Sequence, residues 1–435
     1  MMQERFQKVF GFWPAIAVVL ATMVVAILSS AAHAQPDIRE ITYTNHKQDR
    51  FAVEKLLKDG VIIPAGDQEK FDLYFIEYVL PPIAKIGDEK SRHDLPAVRA
   101  EIKKYFRLAS GPPYEQLNRI VREFMKVVIR KVNDPECRVN AALVLGDLNE
   151  EFEGDGGKLL RPLPAALNDL IGYLKMPKLP DYMRAAAMVG VQRHASYPME
   201  PGVEAALTQL MLRMLSEKQV PPSRSPGSHA YMRRSAAEVL GVLGNVGEKG
   251  EVVAAVVNAL DEKDTPLSFR LGLCGVVGMF KYPTAAKLDY KKIGTGVGAV
   301  LVLAAEQEIA RAEKLSEQQQ ELVDPDRRRL SYYFKQADLA LAGANRRNGR
   351  NGLAAAAAGM PIAASLQNVS GQVSKTLIQL DKEDEFVDSE QLEETLAAIK
   401  EALSSNPEEG KLPVELSGAK KVAKGTKKTD TAPSK

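Results

Sequence analysis

Apolar residues recur at helical spacing along most of the chain. In the segment EQLNRIVREFMKVVIRKV they fall three or four positions apart, which is typical of one stripe of an amphipathic helix. The next segment, DPECRVNAALVLGDL, begins with Asp134, whose side chain can cap a helix. Pro135 follows at the first helical position, where a missing N–H costs nothing. The two segments predict a pair of helices joined by a short turn, and the fold class is predicted to be all-α.

The helix pair recurs along the chain. Segments similar to its second helix are PDYMRAAAMVGVQ, SHAYMRRSAAEVLGVLG and TPLSFRLGLCGVVGMF, and an apolar helix precedes each of them. When the segments are aligned on their arginines, the intervals are roughly 40 to 50 residues, as in helix-pair repeats. The aligned arginines are Arg138, Arg184, Arg233 and Arg270. About two helical turns after each arginine stand, in the same order, Gly146, Gln192, Gly241 and Gly278.

Small residues in the second helix have a physical purpose in such a repeat. One helix pair cannot bury its apolar stripe alone, so neighbouring pairs must stack, and alanine or glycine lets the helices approach closely. The capped turn, the arginine and the Ala-rich, Gly-containing second helix resemble those of HEAT-repeat proteins over residues 113–283. The resemblance implies an α-solenoid of stacked helical hairpins with flanking helices. Gln192 and Leu273 depart from the pattern, since each replaces a small residue.

The aligned arginines allow two interpretations. We expect each of them to pair with an aspartate or a carbonyl of the adjacent unit and so to form a structural ladder between repeats. The alternative is that the arginines line a binding face. Gly146, Gly241 and Gly278 are also predicted to be structural, because they allow neighbouring pairs to pack closely.

Further segments flank the repeats. Helical patterns interrupted by glycine and proline predict an N-terminal helical region at residues 35–112 and a C-terminal helical region at residues 284–403. Residues 404–435 contain no stretch that could form a core, which predicts a disordered tail that is lysine-rich at its end. The repeats are therefore expected to lie between two other helical regions.

Residues 1–34 have the pattern of a secretory signal. Arg5 and Lys8 precede the apolar run PAIAVVLATMVVAIL, and the following AHA tripeptide is a small-x-small cleavage site. Cleavage is predicted after Ala34. The alternative is an uncleaved anchor, since no charged residue occurs between Lys8 and Asp37. Either outcome places the body of the protein outside the cytoplasm, periplasmic or secreted.

Composition changes this picture only slightly. With 45% hydrophobic and 26% charged residues the chain resembles a globular protein. A formal net charge of +2 gives no global argument for a polyanion partner. Cys137 and Cys274 would lie about three repeat units apart, too far for a disulfide, so both thiols are predicted to be free.

Motifs with known chemistry fail on inspection. GTGVGA at residues 294–299 superficially fits a dinucleotide fingerprint, but no buried strand precedes it, so close helix packing is expected instead. DKEDEFVDSE lacks the glycine and the glutamate of an EF-hand loop and is interpreted as a turn in which Asp388 or Ser389 caps the next helix. The histidines beyond the signal show no metal-ligand spacing: His46, His93, His194 and His229. The sequence therefore predicts no catalytic, cofactor or metal site, and no enzyme.

A basic cluster is the candidate for an anion or partner patch. It consists of Arg327, Arg328, Arg329, Arg346, Arg347 and Arg350, at the two ends of one predicted helix. If both ends face the same side, the cluster concentrates positive charge. The alternative is a solvated helix end.

These observations lead to one leading hypothesis and two alternatives. The leading hypothesis is a non-enzymatic, exported scaffold that binds other macromolecules, in the first place proteins, through its stacked helical face. One alternative is a structural envelope component, held to an anionic polymer or a membrane surface by the lysines of residues 420–428. The other is an unrecognised extracytoplasmic hydrolase or lyase. No feature indicates a nucleic-acid partner, a cofactor or a small-molecule substrate.

Overall fold

A computed structural model describes residues 46–85, 94–150, 161–222, 224–283, 288–319, 323–344, 351–382 and 387–404. Within these ranges the regular secondary structure is helical, apart from one isolated bridge between Asn149 and Pro162, so the fold is all-α. The chain divides after Tyr282 into two compact units. The predicted N-terminal signal and lysine-rich tail lie outside the described residues.

The first unit begins with three helices around an aromatic cluster. They are α1 His46–Asp59, α2 Ala65–Leu73 and α3 Leu95–Leu108, and α2 continues as a π-helical turn Tyr74–Val79 and a 3-10 turn Pro81–Ala84. Pro81 and Pro82 lack a backbone N–H, so the π-helical turn ends before them, at an interruption that the sequence predicts. The buried hydroxyls of Tyr74 and Tyr105 share a hydrogen bond of 2.8 Å, which joins the π-helical turn to α3.

Eight further helices complete the first unit in four consecutive pairs. They are α4 Gly111–Lys131, α5 Pro135–Asp147, α6 Pro164–Leu174, α7 Asp181–Ala195, α8 Pro201–Ser216, α9 Pro226–Leu243, α10 Glu251–Leu260 and α11 Leu267–Val277. Within each pair the two helices are in contact, and the second helices α5, α7, α9 and α11 also contact one another in that order. A continuous row of second helices therefore runs through the unit.

Local sequence signals explain where these helices begin. Asp134 caps α5 by accepting a hydrogen bond from the Cys137 N–H at 2.9 Å, and Pro135 occupies the first helical position, as predicted. Asp94 stands at the start of α3, but its side chain makes no capping hydrogen bond there. Cys137 and Cys274 are both buried and do not form a disulfide with each other, as predicted.

The second unit contains a closed arrangement of four helices. Its elements are α12 Tyr290–Gln319, α13 Arg327–Ala342, the short α14 Gly352–Ala356, α15 Ala363–Leu380 and α16 Ser389–Ser404. Helix α12 contacts α13 and α16, and α15 contacts the same two helices, so each of the four long helices has two neighbours. Their apolar faces form the core of this unit.

Predicted details of the second unit are partly confirmed. A Cβ at Gly294 would lie 2.5 Å from a methyl carbon of Leu366, and one at Gly298 would meet Leu403, so the GTGVGA segment serves close helix packing. Asp388 caps α16 by accepting a hydrogen bond from the Gln391 N–H at 3.1 Å, as expected. Helix α13 begins at Arg327, and Asp326 provides its N-cap.

Helix α12 is long and apolar enough to cross a membrane by length and composition. Within the described residues, 67% of its most apolar window is buried inside the protein. The buried carboxylate of Glu308 also lies on this helix, where it forms ion pairs with Arg311 and Arg329. Burial and internal ion pairing of this kind are typical of a core helix, so its apolar character is already explained by packing.

Candidate functional site

The four aligned arginines share one structural role. The guanidinium of each donates a hydrogen bond to a carbonyl at the end of the first helix in its own pair. The acceptors are Ile129 for Arg138 at 2.9 Å, Leu174 for Arg184 at 2.9 Å, Leu215 for Arg233 at 2.7 Å and Leu260 for Arg270 at 2.8 Å. The last carbonyls of a helix have no partner within that helix, and a cation is favourable near them. Each arginine therefore fastens the two helices of its pair together.

Two of these arginines also reach the following pair. Arg138 donates to the Tyr182 hydroxyl at 3.2 Å, and its guanidinium lies 6.0 Å from the centre of that ring. Arg233 forms a 2.8 Å ion pair with Glu262 and lies 4.9 Å from the centre of the Phe269 ring. We expected the carbonyl partners in the adjacent helix pair, but they lie within the same pair as the arginine. The contacts of Arg138 and Arg233 add a link to the next helix pair.

The aligned glycines differ in their surroundings. A Cβ at Gly146 would lie 2.7 Å from the Cα of Gly190, so α5 and α7 approach closely at this pair of glycines. The glycine that meets Gly146 is thus Gly190, and not the aligned position occupied by Gln192. Gly241 packs against Val276 and the Met279 side chain. Gly278 is buried but stands just after the end of α11, at its C-cap.

The second helices leave one face exposed. Tyr182 and Tyr231 stand two positions before Arg184 and Arg233, and they are 37% and 50% exposed. Val189, which is 50% exposed, lies two turns after Tyr182 and hence on the same side of α7. We define the second-helix face as the half-buried or exposed residues at equivalent positions of α5, α7 and α9: Glu136, Val139, Leu143, Tyr182, Ala185, Val189, Tyr231, Arg234 and Glu238.

This face has an apolar centre and a charged edge. The centre is on α7, where Tyr182 and Val189 flank Ala185. On α9, Arg234 and Glu238 form an ion pair at 2.8 Å. The Arg234 side chain lies against α11, since a Cβ at Gly272 would be 2.5 Å from its Nε. These tyrosines were not among the residues predicted from the sequence, although their equal offset from the aligned arginines was a usable signal.

The predicted basic patch is not assembled by the described residues. Arg329 pairs with buried Glu308 at 3.3 Å and with Asp326 at 3.7 Å, and Arg327 donates a hydrogen bond to the Lys382 carbonyl. Arg328 is exposed. The remaining members of the patch lie outside the described residues: Arg346, Arg347 and Arg350.

Glu308 explains why Arg329 is occupied. Burial alone would raise the pKa of this carboxyl, but hydrogen bonds from Arg311 and from the Asp326 N–H, together with the charges of Arg311 and Arg329, hold it below its usual value. The carboxylate is therefore ionised, and it neutralises Arg329, which is a member of the predicted patch. Attraction to a partner at this helix start is weakened accordingly.

The described histidines lie in separate surroundings. His194 is 4% exposed and lines a cleft of about 300 Å³ with Glu150, Arg161 and Asn168. Burial, aided by the charge of Arg193, lowers the pKa of His194 to about 4, so the ring is neutral. His229 is held by Arg224 and the Glu217 carbonyl. Among the described residues, no group of three His, Cys, Asp or Glu side chains is placed to hold a metal ion.

The geometry defines an all-α protein with arginine-fastened helix pairs and one exposed row of second helices. No protein-family model and no curated protein matches the chain. Among solved structures, a crystal structure of an engineered protein is similar over 85% of this chain and 98% of its own, with 11% sequence identity and a TM-score of 0.31. At that TM-score the similarity does not bear on the fold or the function.

Proposed function

We propose that the protein is a non-enzymatic scaffold of HEAT-like helical hairpins that binds a protein partner through the second-helix face. The observation that carries this proposal is the exposure of Tyr182 and Tyr231 at matching positions of consecutive, contacting helices, with exposed Val189 on the same side of α7 as Tyr182. A core position would bury these side chains, and a purely solvated face would carry polar residues in their place.

The solenoid part of the proposal is supported by order and repetition. The second helices contact one another in chain order, as stacked hairpins require. In each pair, an arginine at the aligned position fastens the second helix to the end of the first. A repeated side-chain contact at an aligned position favours four copies of one hairpin over four unrelated helix pairs.

The chemistry of the face favours protein as the partner. Tyrosine is enriched in protein interfaces because it offers a large, rigid apolar ring together with a hydroxyl. The charges at the edge, Arg234 and Glu238, already neutralise each other. A nucleic-acid surface needs a stripe of cations facing the phosphates, and the residues of this face do not provide one.

Other exposed apolar side chains fit the proposal less well. Phe51, Val61 and Ile62 are exposed on α1 and in the loop that follows it. They do not recur at equivalent positions of other helices, so they do not form an extended surface. The second-helix face continues over three helices and is therefore the better candidate for a partner that lies along the unit.

The proposed place of action is outside the cytoplasm. The apolar run of residues 14–28 and the small-x-small tripeptide that follows support export. The same segment, if retained, would tether the scaffold to the membrane. In both cases the second-helix face would meet extracytoplasmic proteins.

Site-specific photo-crosslinking in the producing cells tests the proposal. A photoreactive phenylalanine analogue at position 231 should give discrete covalent adducts, and adding Val189→Asp should abolish them because a charge would enter the apolar centre. The matched control places the analogue at Ile378, which is 65% exposed on the second unit and should give none of these adducts. Adducts that are absent at position 231, or that persist with Val189→Asp, would contradict the proposal.

A further inference from the structure

The first unit contains a cleft that the second-helix face does not include. It has a volume of about 270 Å³ and lies between α3, the end of α5 and the end of α7. Its apolar wall is formed mainly by Ile102, Phe106, Val144 and Leu148. Of the described residues that line it, four are cations and one is an acid, so an apolar wall is combined there with a surplus of positive charge.

Helix α3 supplies most of that charge. Arg99, Lys103 and Arg107 stand four residues apart, which places them along one side of the helix. Lys103 reaches the carboxylate of Asp147 at 2.7 Å and so links α3 to α5. Among the described residues of the lining Asp147 is the one acid, so the cations outnumber the carboxylates there.

The opposite side of the cleft is held rigidly. Arg193 donates to the Gly146 carbonyl at 2.9 Å and to the side-chain oxygen of Asn149. The Asn149 carbonyl in turn accepts hydrogen bonds from the Tyr114 hydroxyl at 3.2 Å and the Asn118 amide at 2.8 Å. Arg193 therefore covers the C-terminal carbonyls of α5, which would otherwise oppose an anion in the cleft.

The side chain of Arg99 indicates what kind of molecule the cleft could bind. Its Nε is buried, and among the described residues no atom accepts a hydrogen bond from it. Leaving a buried, charged donor without an acceptor is unfavourable, and an anionic oxygen in the cleft would satisfy it. The neighbouring apolar wall indicates that this oxygen belongs to a molecule with an apolar body.

We propose that this cleft binds an apolar carboxylate. The carboxylate accepts a hydrogen bond from Arg99 in the field of Lys103 and Arg193, and the apolar body lies on Ile102 and Leu148. A free apolar acid and the C-terminal carboxylate of a peptide that ends in a large apolar residue present the same chemistry. No lining residue belongs to the second-helix face, so the two proposals stand or fall separately.

Calorimetric titration of the full chain with octanoate tests the charge requirement. Octanoate should bind, and octanol, which keeps the apolar body without the carboxylate, should bind at least about tenfold more weakly, the usual value of a charge-assisted hydrogen bond. Equal binding of the two compounds, or no heat of binding with octanoate, would overturn the proposal.

Three variants locate the site. Arg99→Gln should weaken octanoate binding about tenfold, whereas Asp147→Asn, which removes the acid of the lining, should tighten it by about threefold. The control Lys104→Gln alters an exposed cation on α3 that does not line the cleft, and it should leave binding unchanged. Opposite effects of the two cleft variants cannot come from a loss of folding, and unchanged affinity in both would refute the assignment.

A peptide competition distinguishes the source of the carboxylate. Displacement of octanoate by the peptide Ala-Ala-Ala-Leu, but not by its C-terminal amide, supports a chain terminus as the ligand. Octanoate that binds and is displaced by neither peptide supports a free apolar acid. Displacement by the amide as strongly as by the free peptide would contradict the need for a carboxylate.

Discussion

At the scale of single residues, the close approach of α5 and α7 depends on two glycines. Gly146 of α5 and Gly190 of α7 face each other. A Cβ added to either glycine would overlap the backbone of the other helix. A Cβ added to Gly190 would also lie 2.7 Å from a methyl carbon of Leu170 on α6. Two glycines thus decide how tightly three helices pack.

Replacing Gly190 with alanine should therefore destabilise the first unit. The new methyl group would lie 3.0 Å from the Cα of Gly146, which is backbone and cannot move aside. Overpacking of this kind costs about 1–3 kcal/mol, to be measured by urea unfolding. The matched control is Gly172→Ala on α6, where nothing lies within 4 Å, and it should be neutral or slightly stabilising. A Gly190→Ala variant as stable as wild type would show that α5 and α7 separate freely.

His194 makes the stability of the first unit depend on pH. Its pKa is lowered from 6.5 to about 4, chiefly by burial, so the unfolded chain binds the proton more readily than the folded chain. Stability is complete above pH 6.5 and falls as the pH drops from 6.5 towards 4. By proton linkage the loss reaches about 2 kcal/mol near pH 5 and about 3 kcal/mol below pH 4.

The variant His194→Gln should remove this part of the pH dependence. Unfolding free energies measured at roughly pH 7.5 and pH 5 should differ by about 2 kcal/mol less than in the wild type. His46→Gln serves as the control, since His46 is only half-buried where it stacks on Tyr78. A wild-type pH dependence that survives in His194→Gln would place the titrating group elsewhere.

At the scale of helices, the aligned arginines carry different burdens despite their shared role. Arg270 is buried and donates to the Leu260 carbonyl, and its loss leaves that acceptor unsatisfied. Arg233 is buried as well and holds the Leu215 carbonyl, Glu262 and the Phe269 ring together. Arg234, its neighbour in sequence, is partly exposed.

When these arginines are replaced by methionine, the loss of stability should be largest for Arg233, smaller for Arg270 and smallest for Arg234. Arg233→Met should cost about 3–5 kcal/mol because Glu262 loses a buried partner, and Arg270→Met about 1–3 kcal/mol for the unsatisfied carbonyl. Arg234→Met, the control, should cost less than about 1 kcal/mol. Urea unfolding of the three variants measures the order, and equal losses would show that the guanidinium contacts do not determine stability.

The helix pairs were predictable from the sequence because their signals are local. Asp134 and Pro135 mark the start of α5 within two residues, and the apolar stripe of α4 needs only helical spacing. The partners of the arginines were not predictable. The acceptors of Arg138 and Arg270 lie a short distance before them in the chain, whereas the acceptor of Arg233 lies before the longer loop that follows α8. No fixed spacing in the sequence therefore reveals the acceptor.

The candidate sites were harder to predict, because they depend on contacts between distant segments. The cleft proposed for a carboxylate joins Arg99 and Arg193, which no motif connects. The ion pair of Arg329 was not predictable for the same reason, since its partner Glu308 lies on another helix, α12. The equal offsets of Tyr182 and Tyr231 were visible in the alignment, but their exposure was not.

Glu308 holds the beginning of α13 to α12. Replacing it with glutamine removes the negative charge that pairs with Arg311 and Arg329, both of which are partly exposed, and this should destabilise the second unit by about 1–3 kcal/mol. Because the folded-state pKa of this carboxyl is lowered, its contribution is present above pH 4.5 and is lost as the pH falls below that value. Acid titration monitored by circular dichroism should show the difference between Glu308→Gln and wild type vanish at low pH.

At the scale of the whole molecule, the two units are built on different principles. In the first, the second helices follow one another in a row, so each pair depends on its neighbours in the chain. In the second, four helices close on themselves, and each is covered by two others. Each unit has its own apolar core, which is the property that allows a domain to fold alone.

Separate expression tests this independence. Residues 46–282 and residues 283–404, produced as two proteins, should each be helical by circular dichroism and should each unfold cooperatively on heating. In the full chain, Gly190→Ala should then lower the midpoint of only the transition that belongs to residues 46–282, and Glu308→Gln only that of residues 283–404. If either variant shifted both transitions equally, the units would unfold as one cooperative body, because a loss of packing in one core would then be felt in the other.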